Sequence, residues 1–337
     1  MREQFDVLHR WSEERGHLMQ AIGGIPYYYR RFGYEMAVYM GHGHRIYVQD
    51  VSGKPSSGNE GEGSPRSYTL RPAAASDARF LSELNGRGRG RYLLTSSRDE
   101  GLWRYEVAGR DPESDESLEV RIVEDAKGEP AGYLCHARDL RNGALEVYGY
   151  ELASGLSWLE VTPFVLSELV EIGHKRASGE EKLASLTFVF GDQHPLHEVI
   201  QEPPLYRLDR HDHYAFYVRV RDLPGFLRHI APVLEQRLAA SVAAGHTGKI
   251  EVSFYDGGLR LELERGRLSG VEDWIPTVEE RGDAAFPDLT FLQLLFGHRS
   301  LDELDSAFAD CSPGEGDARV LLRALFPRRP SDLWPVC

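Results

Sequence analysis

An aromatic and basic segment near the start of the chain constrains its fold more than any other feature. Residues 24–35, here called the aromatic turn, read Gly-Ile-Pro-Tyr-Tyr-Tyr-Arg-Arg-Phe-Gly-Tyr-Glu. The apolar spacing before it predicts a helix over 2–15, ended by Gly16, and a short strand over 18–22. A second strand is predicted after it, over 35–40. We therefore expect a strand, turn and strand in which the tyrosines pack as core and rim.

The composition is that of a large and acidic protein. At 337 residues the chain should form two or three domains, because single cores rarely grow beyond roughly 250 residues. Its 53 acidic and 39 basic residues give a formal net charge of −14, which disfavours binding to nucleic acid or to anionic membranes and favours cationic substrates. The sequence has no leader pattern and no apolar run of about 20 residues, so we expect a cytoplasmic protein.

Cysteine and histidine spacing predicts no metal site. The three cysteines are far apart and form no C-x-x-C pair, which argues against a disulfide framework and a cysteine zinc site. The histidines occur in close pairs, but none has a full set of four ligands at helix or knuckle spacing. We expect surface or edge-strand positions for the paired histidines, which are His42 and His44, His194 and His197, and His211 and His213.

The middle of the chain begins with a predicted linker. Residues 51–66 consist almost entirely of glycine, serine, proline and charged residues, a composition typical of a flexible connection. Residues 67–221 then alternate between strand and helix patterns. The predicted strands are 68–71, 118–123, 131–136, 145–152 and 183–190, and the predicted helices begin near Asp77 and cover 99–107 and 158–176.

The last part of the chain, 222–337, shows a helix pair followed by a sheet. Asp222 begins a helix that Pro232 must kink or break. Alternating apolar residues on both sides of Asp256-Gly-Gly258 predict a hairpin. Ser300 and Glu303 have the spacing of a capping box.

This order of elements resembles the GNAT-fold acyl-CoA N-acyltransferases. The whole layout is similar to the enhanced-intracellular-survival (Eis) group, with tandem GNAT domains followed by a sterol-carrier-protein-like domain. The resemblance implies an α+β fold, with the C-terminal half of a first GNAT domain over 1–50, a degenerate second GNAT domain over 67–221, and the sterol-carrier-like domain over 222–337. The front half of the first domain, with its pyrophosphate loop, would fall upstream of Met1. Either this sequence starts too late or is a fragment, or the protein has lost that half and with it ordinary catalysis.

The resemblance also implies a catalytic pair. Tyr29 lies three residues before the Phe-Gly-Tyr signature at Phe32, where Eis-type proteins place a general acid that protonates the departing thiolate. The terminal carboxylate, which belongs to Cys337 in this chain, would act as the base or anchor the amine. Gly24 and Tyr29 would lie at the acetyl-CoA site, with acetyl-CoA as co-substrate.

Each of these assignments has a structural alternative. Tyr27 or Tyr28 could take the place of Tyr29, and a tyrosine cluster is more often simple packing. The chain terminus at Cys337 could be frayed. Arg30 and Arg31 could approach the cofactor phosphates, but a solvated or ion-paired role is the better expectation.

Two stretches in the middle of the chain bear on a second acyl-CoA site. Residues 85–90, Asn-Gly-Arg-Gly-Arg-Gly, imitate a pyrophosphate loop but follow a helix, so we expect a mobile basic loop. The correct place for that loop, 153–157, lacks a basic residue and a glycine ladder, and Glu146 and Glu151 precede it. Carboxylates would repel a pyrophosphate there. The second GNAT domain is therefore expected to be architectural.

Two functions follow from this reading. The leading one is an Eis-like N-acetyltransferase that acts on a small-molecule amine such as a polyamine or aminoglycoside, or on a protein lysine. The alternative is a non-catalytic protein that uses the sterol-carrier-like domain to bind an apolar ligand or a partner. The apolar run 286–296 could line a lipid cavity, although such a run is more often core. A homo-oligomer is compatible with either function.

The absent pyrophosphate loop generates a prediction about acetyl-CoA. Because backbone N–H groups of such a loop hold the pyrophosphate in this fold, these 337 residues should bind acetyl-CoA weakly or not at all. Titration calorimetry checks this. Tight binding would contradict the prediction and direct attention to residues 85–90.

Overall fold

Tertiary contacts divide the chain into two units, each made of separate stretches of sequence. Unit 1 comprises Met1–Met40 and Tyr214–Ser331, and unit 2 comprises Gly41–His213 and Asp332–Cys337. The structure is a computed structural model, and it describes residues 2–25, 27–39, 43–52, 68–114, 116–191, 193–201, 209–210, 215–287 and 289–333.

The helices and strands are numbered in chain order. The helices are α1 (Arg2–Glu14), α2 (Val48–Ser52), α3 (Ala78–Gly88), α4 (Glu100–Ala108), α5 (Trp158–Arg176), α6 (Pro195–Gln201), α7 (Leu223–His229), α8 (Ala231–Ala239), α9 (Phe291–Leu295), α10 (Leu301–Ala307) and α11 (Gly316–Leu325). The strands are β1 (Gln20–Ile22), β2 (Glu35–Tyr39), β3 (Gly43–Tyr47), β4 (Thr69–Pro72), β5 (Leu118–Glu124), β6 (Pro130–Ala137), β7 (Ala144–Leu152), β8 (Ser185–Val189), β9 (Asp209–Arg210), β10 (Ala215–Arg219), β11 (Gly248–Ser253), β12 (Gly258–Glu264), β13 (Arg267–Trp274) and β14 (Ala284–Ala285).

Unit 2 is built on a mixed sheet of seven strands in the order β4-β5-β6-β7-β8-β3-β9. Only β7 and β8 pair in parallel, and their pairing covers Ala144 to Val147 on β7. Strand β7 continues to Leu152 with β6 as its partner. The sheet therefore splays open between the ends of β7 and β8. Helix α5 packs the apolar residues Val161, Val165, Leu166 and Leu169 into the core of this unit.

Unit 1 contains two sheets. A three-stranded antiparallel sheet has the order β1-β10-β2, so β10 pairs with both strands that flank the aromatic turn. A second sheet has the order β13-β12-β11-β14. Its buried side chains include Ile250 and Val252 of β11 and Leu259 and Leu261 of β12, which alternate along their strands as a hairpin with one covered face requires.

The α+β class with mixed sheets is confirmed, and most element positions agree with the sequence patterns. Helix α5 covers 158–176 as predicted, and Asp99 caps α4 through a hydrogen bond from the N–H of Leu102 at 2.8 Å. The capping box of Ser300 and Glu303 is present. The helix predicted from Asp222 breaks next to Pro232, so that two helices, α7 and α8, are present in its place. The patterns missed α2, α6, α9, α11, β9, β10, β13 and β14.

One prediction about local structure is wrong. Residues 85–88 form the last turn of α3, and a short 3-10 helix continues over 89–91, so this stretch is not a loop. Gly88 packs so closely that an added Cβ would meet the carboxylate of Glu151. Residues 51 and 52 of the predicted linker end α2, and 53–66 lie outside the described residues.

The apolar run 286–296 is core. Phe286, Phe291 and Phe296 are at most 4% exposed, and the ring of Phe291 lies 5.4 Å from that of Phe326. The ring of Phe286 packs on that of Phe291, and the ring of Phe296 packs on that of Phe226, which is the packing expected of an interior. Among the described residues, none of the helices is long and apolar enough to cross a membrane.

The core of unit 2 gives a stability test. Phe188 on β8 is completely buried, so Phe188→Ala should lower the free energy of unfolding by about 3–5 kcal/mol through lost burial and a cavity. Leu159→Ala on α5, where the side chain is 72% exposed, is the control and should change it by less than about 0.5 kcal/mol. Urea unfolding followed by circular dichroism measures both. Equal effects would contradict the assigned core.

Candidate functional site

Within the aromatic turn, Tyr28–Phe32 form a short 3-10 helix. It lies between Tyr27 and Gly33, whose backbones are both in the left-handed region. Gly33 ends it with φ 83° and donates its N–H to the carbonyl of Arg30 at 3.1 Å. Glycine adopts this conformation without steric cost. Tyr27 begins the helix with φ 61°, which costs a non-glycine residue about 1–2 kcal/mol. The turn is therefore held in a specific and partly strained shape.

Helix α1 supports the turn with one aromatic side chain. The ring of Phe5 stacks on that of Phe32, with centroids 4.3 Å apart, and meets Tyr29 and Tyr34 edge-on at 5.9 and 6.0 Å. Edge-to-face and offset pairs at these distances are the favourable aromatic geometries. Tyr34 is 4% exposed and belongs to this core.

The structure brings Gly24 and Tyr29 together. A Cβ added at Gly24 would lie 2.4 Å from Cε2 of Tyr29 and 2.8 Å from its hydroxyl oxygen, so only glycine allows this approach. The Tyr29 ring is half-buried and its hydroxyl lies beside the backbone that follows β1. The roles of both residues stay predictions. Cys337 lies outside the described residues.

Sequence analysis missed Tyr217, which contacts the turn from β10. Its hydroxyl accepts the backbone N–H of Tyr27 at 2.7 Å, and its ring lies 5.8 Å from that of Tyr29. It is 2% exposed. The alternating segment Ala-Phe-Tyr-Val-Arg at 215–219 indicates a strand. A strand pattern does not say which strands it pairs with, so the sequence offered no link to the turn.

A polar chain runs beneath the turn. The hydroxyl of Tyr34 donates to Oε1 of Gln20 at 3.1 Å, so it accepts from Nε2 of His9 at 3.0 Å. Arg219 donates to the same Gln20 oxygen at 3.2 Å. Burial raises the pKa of Tyr34, with Arg219 opposing. Burial and then Arg219 lower the pKa of His9 below its usual 6.5, so this histidine is neutral at pH 7.

Arg30 is ion-paired, which agrees with the solvated or ion-paired role that the sequence favoured for it. Its guanidinium lies 3.0 Å from the carboxylate of Glu35, which is 3% exposed at the start of β2. The same carboxylate accepts the N–H of Met36 at 3.1 Å and the side-chain amide of Gln293 on α9 at 3.2 Å. Removing one partner of a buried pair is costly because the other charge stays buried. This contact therefore connects the turn to the C-terminal part of unit 1.

A second polar cluster lies in unit 2, where β7 and β8 have splayed apart. Glu151, near the end of β7, forms an ion pair with Arg91. His194 hydrogen-bonds to the carbonyl of Tyr150 at 2.6 Å. Asp332 joins from the end of the chain, and its N–H donates to the carbonyl of Leu94 at 2.9 Å. A small cavity of about 40 Å³ remains, lined by Asn85, Gly88, Arg89, Tyr92, Thr95, Ser96, Arg98, Glu151 and Asp332.

The two carboxylates of this cluster share one enclosed space. Burial raises the pKa of Glu151 to about 7, with Arg91 opposing and Asp332 adding to the rise. Burial raises the pKa of Asp332 to about 6, opposed by the N–H of Gly191 and by Arg91. The hydroxyl of Tyr92 donates to the carbonyl of Gly191 at 3.0 Å. The chain's own side chains thus fill the splay of unit 2.

The histidine prediction is wrong for the residues that the structure describes. His44, His194 and His197 are at most 3% exposed, and His44 is buried because β3 lies inside the sheet between β8 and β9. The Nδ1 atoms of His44 and His197 are 2.9 Å apart, so one donates to the other. His42, His211 and His213 lie outside the described residues. Within the described ranges, no group of three or more metal-ligating side chains is found.

Solved structures resemble the chain over almost its whole length. No protein-family model matches it, and a search of curated proteins found no match. A GCN5-related N-acetyltransferase of Anabaena variabilis shares 15% identity with a TM-score of 0.60, covering 98% of this chain and 76% of its own. Eis1 of Mycobacterium abscessus shares 16%, with a TM-score of 0.54, over 95% and 74%. The chain has the GCN5-related N-acetyltransferase fold. A conserved Enterococcus faecalis protein of unknown function is also similar, with 13% identity, a TM-score of 0.64, and coverage of 99% and 76%.

The raised pKa of Glu151 predicts a pH-dependent stability. The folded carboxyl holds its proton up to about pH 7, whereas an unshifted one titrates near 4.5. The contribution of this carboxyl to the stability of the fold is therefore largest below pH 4.5 and is lost as the pH rises through 7. Glu151→Gln should flatten this slope by up to about 1.4 kcal/mol per pH unit.

Urea unfolding at a series of pH values across this range measures the slope. Glu160→Gln, at an exposed position of α5, is the matched control and should leave the slope unchanged. An unchanged slope in Glu151→Gln would show that this carboxyl does not retain its proton.

Proposed function

We propose that this protein is an Eis-like N-acetyltransferase that transfers an acetyl group from acetyl-CoA to an amine. The observation that carries the proposal is the position of Tyr29. Its hydroxyl is placed by a short 3-10 helix, against a glycine that no other residue could replace, at the end of a strand in this fold. A rigid and partly exposed phenol of this kind suits a general acid.

In the proposed reaction the neutral amine attacks the thioester carbonyl, a C–N bond forms, and the C–S bond breaks. The departing thiolate takes the proton of the Tyr29 hydroxyl and leaves as a thiol. The amine nitrogen loses its proton to the carboxylate of Cys337, and the tyrosinate regains one from that side through solvent. Gly24 lets the Tyr29 ring lie against the main chain that follows β1. The acetyl-CoA dependence and both residue roles belong to the proposal.

The substrate class follows from charge. A net charge of −14 attracts cations over long range, so we propose a polyamine, an aminoglycoside or a protein lysine. The domain assignment is also proposed, with half of a first GNAT domain over 1–50, a degenerate second one over 67–221, and a sterol-carrier-like part over 222–337. The ion pair of Arg91 and Glu151 in the splay supports the proposal that the second GNAT domain is degenerate. A cytoplasmic location and a homo-oligomer stay predictions.

The non-catalytic alternative finds less support. Its apolar-ligand version needs a cavity along 286–296, and the ring of Phe291 packs on those of Phe286 and Phe326. A protein partner remains its other version. Acetylation of any amine by the protein would exclude it as the sole function.

Tyr29→Phe tests the proposed acid. The substitution removes only the transferable proton, so the turn should keep its packing while kcat falls about 10²–10⁴-fold and amine binding changes little. Steady-state kinetics of the protein on polyamines and aminoglycosides, at saturating acetyl-CoA, measure this. Tyr27→Phe and Tyr28→Phe are the controls and should have much smaller effects. An unchanged rate in Tyr29→Phe would remove Tyr29 from the mechanism.

Deletion of Cys337 tests the proposed base. It leaves a new carboxylate on Val336, displaced by about 3.5 Å, which is one residue's reach. Such a shift breaks the geometry of proton transfer, so the rate should fall sharply. An equal rate would mean that the chain terminus has no part in the reaction.

A further inference from the structure

One hydrogen bond of the aromatic turn has no role in the proposed chemistry. The buried hydroxyl of Tyr217 accepts the backbone N–H of Tyr27 at 2.7 Å, although the two residues are 190 positions apart. A side chain from a distant strand therefore contacts the residue that precedes the 3-10 helix of the turn. The contact fixes a main-chain atom, so it acts on the path of the backbone.

Tyr27 is the place where the turn needs such a restraint. Its φ of 61° lies in the left-handed region, and its side chain is 77% exposed. A non-glycine residue keeps this conformation only where its surroundings hold it. An exposed ring supplies little of that restraint, so it has to act through the backbone. The hydrogen bond to Tyr217 does so.

The same residue also sets the position of the turn as a whole. In the three-stranded sheet Tyr217 lies opposite Ile22 on β1 and Met36 on β2, the strands before and after the turn. Its ring contacts the ring of Tyr29, with centroids 5.8 Å apart. Tyr217 thus contacts the strand before the turn, the strand after it and the proposed acid, Tyr29.

We propose that Tyr217 is a positioning residue that holds Tyr29 in place by keeping the peptide at Tyr27 in its strained, left-handed conformation. The kinetic part of this inference rests on the proposed function. The structural part does not, because it concerns the conformation of the turn in the chain as it stands.

Tyr217→Phe tests the structural part. The change keeps the buried ring and removes the acceptor, so Tyr27 should leave the left-handed region and the turn should loosen. Hydrogen exchange of the 337-residue protein should show the amides of 28–34 exchanging about three- to tenfold faster, the factor that corresponds to one lost hydrogen bond. Unchanged exchange would overturn the inference.

A second substitution should restore the turn. Glycine adopts positive φ without cost, so Tyr27→Gly removes the need for the restraint. In the double variant with Tyr217→Phe, exchange over 28–34 should slow again by about threefold or more relative to Tyr217→Phe alone. A purely structural loss of packing at Tyr217 would not respond to a change at Tyr27. Failure of this rescue would overturn the inference.

Two matched controls exclude general effects. Tyr150→Phe removes another buried tyrosine hydroxyl, in unit 2, and should not change exchange in the turn. Tyr255→Gly relieves the same kind of strain, at φ 74° after β11, and should not rescue Tyr217→Phe. A response of the turn to either control would count against a specific contact.

Kinetics test the consequence for Tyr29. At saturating acetyl-CoA, Tyr217→Phe should lower kcat about three- to tenfold, with KM for the amine within about twofold, and Tyr27→Gly should recover the loss. If exchange responds as expected but Tyr29→Phe is fully active, the proposed function fails and the restraint stands. If Tyr29→Phe is inactive and Tyr217→Phe exchanges normally, the proposed function stands and this inference fails.

Discussion

The pairing of β10 between β1 and β2 is the constraint on which the candidate site depends. Among the described residues, β1 has no other strand partner, and β1 and β2 meet only through β10. The aromatic turn connects these two strands, so its width is set by a segment that lies nearly two hundred residues later. Closing so long a loop costs only a little more entropy than closing a short one, but it slows folding. The turn is therefore complete only when β10 has paired with both of its strands.

The buried carboxylates of the two units have different surroundings. In unit 1 the carboxylate of Glu35 meets a guanidinium, a backbone N–H and a side-chain amide, so each oxygen has a donor nearby. In unit 2 the carboxylates of Glu151 and Asp332 both lie near Arg91, and both have raised pKa values. The first arrangement fixes a backbone segment, whereas the second makes the stability of the splay depend on pH.

Local patterns predicted local structure well and tertiary structure poorly. The bounds of α5, the cap at Asp99 and the capping box at Ser300 depend on neighbours within one or two turns, so the sequence contains them. The places of β3 and β10 depend on partners far along the chain. The burial of His44 follows from β3 lying inside the sheet, and the helical form of 85–88 from packing of Gly88 against Glu151. Spacing alone contains neither fact.

Two opposite uses of backbone freedom place the candidate acid. At Gly24 the absence of a side chain lets the Tyr29 ring lie against the main chain, so the ring has one direction open to it. At Tyr27 a side chain is present in a conformation that favours glycine, and a hydrogen bond of about 0.5–1.5 kcal/mol offsets a strain of similar size. Because the two terms nearly cancel, the turn is held without a large margin. Its shape is then sensitive to the one contact from β10, and so is the position of Tyr29.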